Sequence, residues 1–198
     1  MSKALIVVDM QVDFCPGGKL PVPGGDEIVA SINRLMADFE TVILTQDWHP
    51  ANHSSFASNH PGAAPYSLTQ MDYGPQVLWP DHCVIGSAGA AFHPGLDLAS
   101  ATTIIRKGFR PAIDSYSTFY ENDFRTPTGL TGYLRERQIE ELCLVGLAYD
   151  FCVSWSAIDA MRLGFEVCVI EEATRAIDLN GSRAVARKNM LAAGVRLD

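Results

Sequence analysis

The sequence predicts an α/β fold: a three-layer, Rossmann-like parallel sheet of about six strands with helices on both faces. Three observations lead there. Short Val-, Ile- and Leu-rich runs recur at lengths suited to strands buried on two faces. Helical patterns alternate with them, and alternation of this kind implies a parallel sheet. One long stretch, residues 48–100, stands outside the alternation and reads as an insertion.

Taken in order, the predicted strands are Ala4 to Asp9, Thr41 to Asp47, Thr102 to Lys107, Leu142 to Leu147, Glu166 to Ile170 and a weaker one at Val195 to Leu197. The helical patterns run from Asp26 to Glu40, Gly129 to Gln138, Asp150 to Leu163 and Ser182 to Ala192. Gly164 and Gly194 sit where a helix ends in a left-handed residue. The 48–100 stretch is rich in Pro, Gly, Asn and Ser and shows no sustained period, and so long an irregular segment is usually functional or disordered. It holds every histidine and two of the three tryptophans, which argues for order. We therefore expect one domain, residues 1–198, with an ordered cap at about 48–100.

Fifteen Lys and Arg against twenty-three Asp and Glu leave a net charge of −8, with no basic run to track a phosphate backbone. Nucleic acid is thereby excluded as a natural partner, and a neutral small molecule fits better than an anion. The opening apolar run, Ala4 to Val8, is too short for a signal or membrane segment. Five scattered cysteines without disulfide-framework spacing imply free thiols and a cytoplasmic location. A homo-oligomer through exposed sheet or helix surface is compatible with the sequence.

Ligands of open parallel sheets bind beyond the carboxyl ends of the strands, where strand order reverses. Asp9, Asp47 and Lys107 end the first three predicted strands, and Cys152 follows the fourth at the start of a helix. Each alone has a bland reading as a cap, a solvated charge or a core thiol. Together they form a reactive set. Cys152 is the candidate nucleophile, since a helix N-terminus and a lysine both favour thiolate. Asp9 is the candidate base in a dry site and Lys107 the charge-balancing cation. Cys143 and Cys168 fall within strands and read as core, while Cys15 and Cys83 sit in loops.

A second set is Asp47, His49 and His82, two imidazoles and a carboxylate that would make a three-ligand metal site with open positions. Zn is the first choice of metal, with Fe and Mn as alternatives. His53 is a further candidate, as a fourth ligand or as a partner orienting one of the others. His60 and His93 read as surface or packing residues.

These segments, in order, resemble the nicotinamidase and pyrazinamidase family within the isochorismatase-like hydrolases. The resemblance is carried by VVDMQVDF at 7–14, TQDWHPANHSSF at 45–56, WPDHCVIGSAGAAFHP at 79–94, KG at 107–108 and GLAYDFCV at 146–153. It implies a catalytic triad at Asp9, Lys107 and Cys152 and a metal on Asp47, His49 and His82. It also implies an amide substrate whose ring lies beside Phe14, Trp79 and Tyr116. A cis peptide between Leu147 and Ala148, with the N–H groups of Ala148 and Cys152 facing an oxyanion, follows from the same resemblance. Val12, Tyr149 and Phe151 depart from the residues frequent at their positions, which bears on pocket shape rather than reaction class.

Overall fold

A computed structural model describes residues 2–198. Its main sheet contains β1 (Ser2–Val8), β2 (Thr41–Asp47), β5 (Thr103–Lys107), β6 (Ile139–Leu147), β7 (Glu166–Arg175) and β8 (Arg196–Leu197), all parallel. Their order is β5-β2-β1-β6-β7-β8. The chain steps outward in one direction from β1 and in the other from β6, so the order reverses between these two central strands. That is where a doubly wound sheet opens its binding crevice.

Alternation along β1 divides the core. Leu5 and Val7 pack with Ile32 and Met36 of α1 (Val29–Met36) on one face. Ala4, Ile6 and Val8 pack on the other against α2 (Leu130–Glu136), α3 (Ser154–Arg162) and α4 (Ser182–Ala192), through Leu134, Ala157 and Met190 among others. The helices therefore divide one against three. No helix among the described residues is long and apolar enough to cross a membrane.

Several boundaries differ from expectation. The first helix begins at Val29 rather than Asp26, because the chain through Gly24 and Gly25 is still turning there and Asp26 caps nothing. β7 runs on to Arg175, beyond the apolar stretch, since Thr174 and Arg175 pair with Gly146 and Leu147 past an irregularity in β6. At Gly146 (φ +106°) a Cβ would lie 2.8 Å from the Val8 nitrogen, so a side chain there would part the central strands. Residues 48–100 do contain regular structure, an antiparallel hairpin of β3 (Leu68–Met71) and β4 (Gly74–Val77).

The expectation of five free thiols is corrected. Cys143 and Cys168 are register partners on β6 and β7, with Cα atoms 4.7 Å apart, and are joined as a disulfide. Only Cys15, Cys83 and Cys152 are free, and all three are buried.

Candidate active site

Asp9 leaves β1 in a left-handed conformation (φ +46°) and is fully buried. Thr45 of β2 fixes it from both ends: its hydroxyl accepts from the Asp9 N–H (3.1 Å) and donates to Oδ1 (2.6 Å). The other carboxylate oxygen, Oδ2, lies 2.9 Å from the ammonium of Lys107. Lys107 also donates to Asp47 and to the Ser115 carbonyl (2.8 Å), and its Nζ is 3.5 Å from Cys152 Sγ. Asp47 and Lys107 are register partners on β2 and β5, which puts both side chains on one face of the sheet. A single buried ammonium thus joins three groups distant in sequence.

Cys152 lies in a tight turn, Tyr149–Val153, that leads into α3. The N–H groups of Phe151 and Val153 both donate to the Ala148 carbonyl, at 3.1 and 3.0 Å, the second bond spanning five residues as in a π-turn. The Leu147–Ala148 peptide is cis.

Charge is balanced by burial and neighbours. Burial alone would depress the Lys107 pKa, but Asp47, Asp9 and the Cys152 sulfur reverse this and hold it well above its ordinary value. Asp47 is held well below the carboxylate range despite its burial, because Lys107 and His49 face it. Asp9 goes the other way: burial, reinforced by the negative charge of Asp47, outweighs Lys107 and raises it. Cys152 is also raised, by burial first and then by Asp9 and Asp47, with Lys107 opposing. Lys107 thus favours the thiolate, as expected, while burial and the two carboxylates oppose it. A proton-hungry carboxylate beside a thiol is the arrangement a general base requires.

The second set converges beside the first. Asp47 Oδ2 lies 3.4 Å from His49 Nε2 and 3.8 Å from His82 Nε2. Each imidazole turns its Nδ1 to a carbonyl, Gly108 for His49 and Pro80 for His82, both at 2.8 Å. A carbonyl only accepts, so Nδ1 of each ring donates to it, and Nε2, which faces the Asp47 carboxylate, is the atom each ring would offer a metal. Three acceptors aimed at one point fit a cation, and both carbonyl partners are the outer support that metal-bound imidazoles use.

Overlapping clusters fit less well. His53, His49 and Asp114 lie close together, but His53 Nε2 meets the Ile113 carbonyl (3.2 Å), and its Nδ1 meets the hydroxyl and N–H of Ser55. Both its nitrogens are thereby engaged. The His53 ring lies 4.4 Å from the His49 ring, tilted at 53° to it, and burial, then the charge of His49, lower its pKa to about 4. The third cluster, Asp9, Asp47 and Cys152, already holds the Lys107 ammonium.

Over residues 3–197 the chain matches the model of the Isochorismatase domain. The chain belongs to the isochorismatase family. Within that family it is similar to the nicotinamidase of Acinetobacter baylyi, 56% identical over 193 residues that cover 98% of this chain and 90% of that protein. The nicotinamidase of Escherichia coli is 46% identical over 200 residues, 98% and 93% of the two chains. A solved nicotinamidase/pyrazinamidase of Acinetobacter baumanii superposes with a TM-score of 0.98 at 54% identity, over 99% of this chain and 95% of that one.

In this isochorismatase-family site, a cavity of about 20 Å³ lies between the two sets. Cys152, Ala148, Asp47 and His82 line it together with Phe14, Trp79 and Tyr116, the three aromatics expected from the resemblance. Phe14 packs 5.4 Å from the His82 ring, and Trp79 Nε1 donates to the Tyr116 hydroxyl at 3.1 Å. Phe151 meets Trp79 edge-on at 4.9 Å, so this departure from the family pattern does shape the wall. Leu20, Asp114 and Ile177 complete it, and none of the three was singled out from sequence.

Supporting residues were missed as well. The Gln11 side-chain amide brackets the Asp47 backbone, donating to its carbonyl (2.8 Å) and accepting from its N–H (2.8 Å). Buried Asp13 accepts from the Cys83 N–H (2.7 Å) and the Lys19 N–H (3.1 Å), pinning the loop that carries His82. Gln11 and Asp13 alternate with apolar residues just after β1, and that polar alternation was the available signal. His60 and His93 bond only to local backbone, as packing residues would.

Proposed function

We infer that the chain is a metal-containing cysteine amidohydrolase that converts nicotinamide to nicotinate and ammonia through a thioester, with pyrazinamide as a second substrate. The observation that carries this reading is the meeting of Asp9, Lys107 and Cys152 with Asp47, His49 and His82 around one small aromatic cavity.

In the proposed cycle, Asp9 accepts the Cys152 thiol proton and the sulfur attacks the carboxamide carbon. Lys107 balances the negative charge left on the pair. The N–H groups of Ala148 and Cys152 hold the oxyanion, and loss of one such donor costs about 100- to 1,000-fold in rate. Asp9 then protonates the departing ammonia, takes a proton from water as the hydroxyl cleaves the thioester, and returns it to sulfur. One carboxylate thereby serves both half-reactions.

Asp47, His49 and His82 would hold the metal, with Zn preferred over Fe and Mn, and the ion would orient the substrate ring and draw electron density from it. A solved pyrazinamidase of Pyrococcus horikoshii, 34% identical to this chain with a TM-score of 0.82, is in complex with zinc, which supports that choice. Phe14, Trp79 and Tyr116 are assigned to the ring. We read residues 1–198 as one hydrolase domain, 48–100 as its cap, and the cytoplasm as its compartment.

The test is ammonia release from nicotinamide by purified protein, with Cys152→Ala and His49→Ala beside it and metal content measured for all three. Cys152→Ala should lose turnover and keep its metal, whereas His49→Ala should lose metal. Near-normal turnover by Cys152→Ala would rule out the thioester. No release from folded, metal-loaded wild type would move the substrate to another amide.

A further inference from the structure

The hairpin of β3 and β4 carries one fully buried polar side chain, Gln76, at 1% exposure. Its amide nitrogen donates to Asp114 Oδ2 (2.6 Å), to the Tyr116 hydroxyl (3.0 Å) and to the neighbouring Val77 carbonyl (2.8 Å). Its oxygen accepts from Asn122 Nδ2 (3.2 Å) and the Tyr73 hydroxyl (3.1 Å). The carboxylate can only accept, so Asp114 dictates which end of the amide faces it. Asn122 closes the circuit by accepting from the Tyr116 N–H at 2.9 Å and donating its own N–H to the Asp114 carbonyl at 2.7 Å.

Asp114 and Tyr116 both line the cavity beside Cys152, and Gln76 does not. Asp114 stands on the side of His49 and His53, and the Tyr116 hydroxyl also receives the indole N–H of Trp79. One amide thus fixes two residues of the cavity wall. A buried network of this kind, with both ends of the amide engaged, locks its members in one arrangement.

We propose that Gln76 is a positioning residue for the substrate ring, acting through Tyr116 and Asp114 from outside the cavity. This deepens the nicotinamidase reading and rests on it. The wall contacts the ring before and during reaction alike, and loss of such uniform binding raises KM while sparing kcat. Breaking the bonds from Gln76 to Tyr116 and Asp114 loosens the wall that holds the ring, and the expected effect on ring binding is roughly tenfold.

The test compares wild type with Gln76→Met, which keeps the volume, and Gln76→Glu, which keeps the shape but sets a second carboxylate against Asp114. Both should raise KM for nicotinamide and weaken nicotinate binding about tenfold, with kcat within about twofold of wild type. Tyr116→Phe combined with Gln76→Met should be little worse than Gln76→Met alone, since the two act in series. Thermal unfolding of each variant shows that the fold is kept. An active wild type matched by both variants, a fall in kcat at unchanged KM, or effects that multiply in the double variant would each overturn the inference alone. Wild type that neither hydrolyses nicotinamide nor binds nicotinate would overturn the functional reading and this inference with it.

Discussion

Gly108→Ala offers a way to disturb the proposed metal site without altering any of its candidate ligands. Gly108 follows Lys107 at φ +70°, and its carbonyl receives His49 Nδ1 at 2.8 Å. A Cβ built there would sit closest to His49 Cε1 and 2.7 Å from that same Nδ1, whereas ordinary contact begins near 3.4 Å, so the ring must retreat by more than 3.4 − 2.7 = 0.7 Å. It has nowhere to go: His53, His82 and Phe56 stand behind it at centroid distances of 4.4, 5.0 and 5.5 Å. Holding alanine in a left-handed conformation costs a further ~1–2 kcal/mol. Loss of a supporting contact to a metal-bound histidine typically costs about 10- to 100-fold in metal affinity. We expect a loss in that range for zinc, read by competition with a chromophoric chelator, together with a lower unfolding temperature. A folded Gly108→Ala protein that binds zinc as tightly as wild type would refute the assignment of His49 as a ligand held through Gly108.

Two more predictions concern buried charge. Lys107→Met strands the carboxylates of Asp9 and Asp47 in the core, and removing one partner of a buried ion pair costs about 3–5 kcal/mol; urea unfolding should show that loss, smaller in zinc, because a cation on Asp47 replaces part of the missing charge. An equal loss with and without zinc would separate Asp47 from the metal. Glu121 is buried and paired with the Arg110 guanidinium at 2.7 Å, yet burial raises its pKa above 4.5. The folded protein thus holds this proton more tightly than the unfolded chain, so the contribution is present below pH 4.5 and lost as pH rises through the folded value. Glu121→Gln should flatten that part of the stability profile, and an unchanged slope in urea midpoints across the window would count against it.

Much of this was readable in advance because strand ends are written locally. Asp9, Asp47 and Lys107 each close an apolar run, and topology alone brings such ends together. The hairpin at 68–77 escaped because its strands have four residues each, include Pro75 and are half exposed, so neither length nor alternation marks them. The pairing of Cys143 with Cys168 depends on the register between two strands, which no single run encodes. Gln76 and Asp114 are 38 residues apart and meet only in the folded chain. The opposition of burial and of Asp47 to a Cys152 thiolate depends on how separate strand ends pack around the sulfur, which no single run encodes.

The pairing of Asp47 with Lys107 makes the spacing of β2 and β5 a ruler for the chemistry. Slipping β5 by one residue would turn Lys107 to the opposite face of the sheet and leave both carboxylates without their cation. The exposed turn at residues 61–65, within the loop between these strands, carries no side chain of the site and is under no such restriction, since closing a longer loop costs only about 0.6 kcal/mol per doubling of its length. Insertions and deletions should therefore accumulate between residues 61 and 65 and be absent within 41–47 and 103–107. A designer therefore has one short turn whose length can be changed freely, provided the two strands that anchor the loop keep their count and Gln76, Trp79 and His82 keep their places.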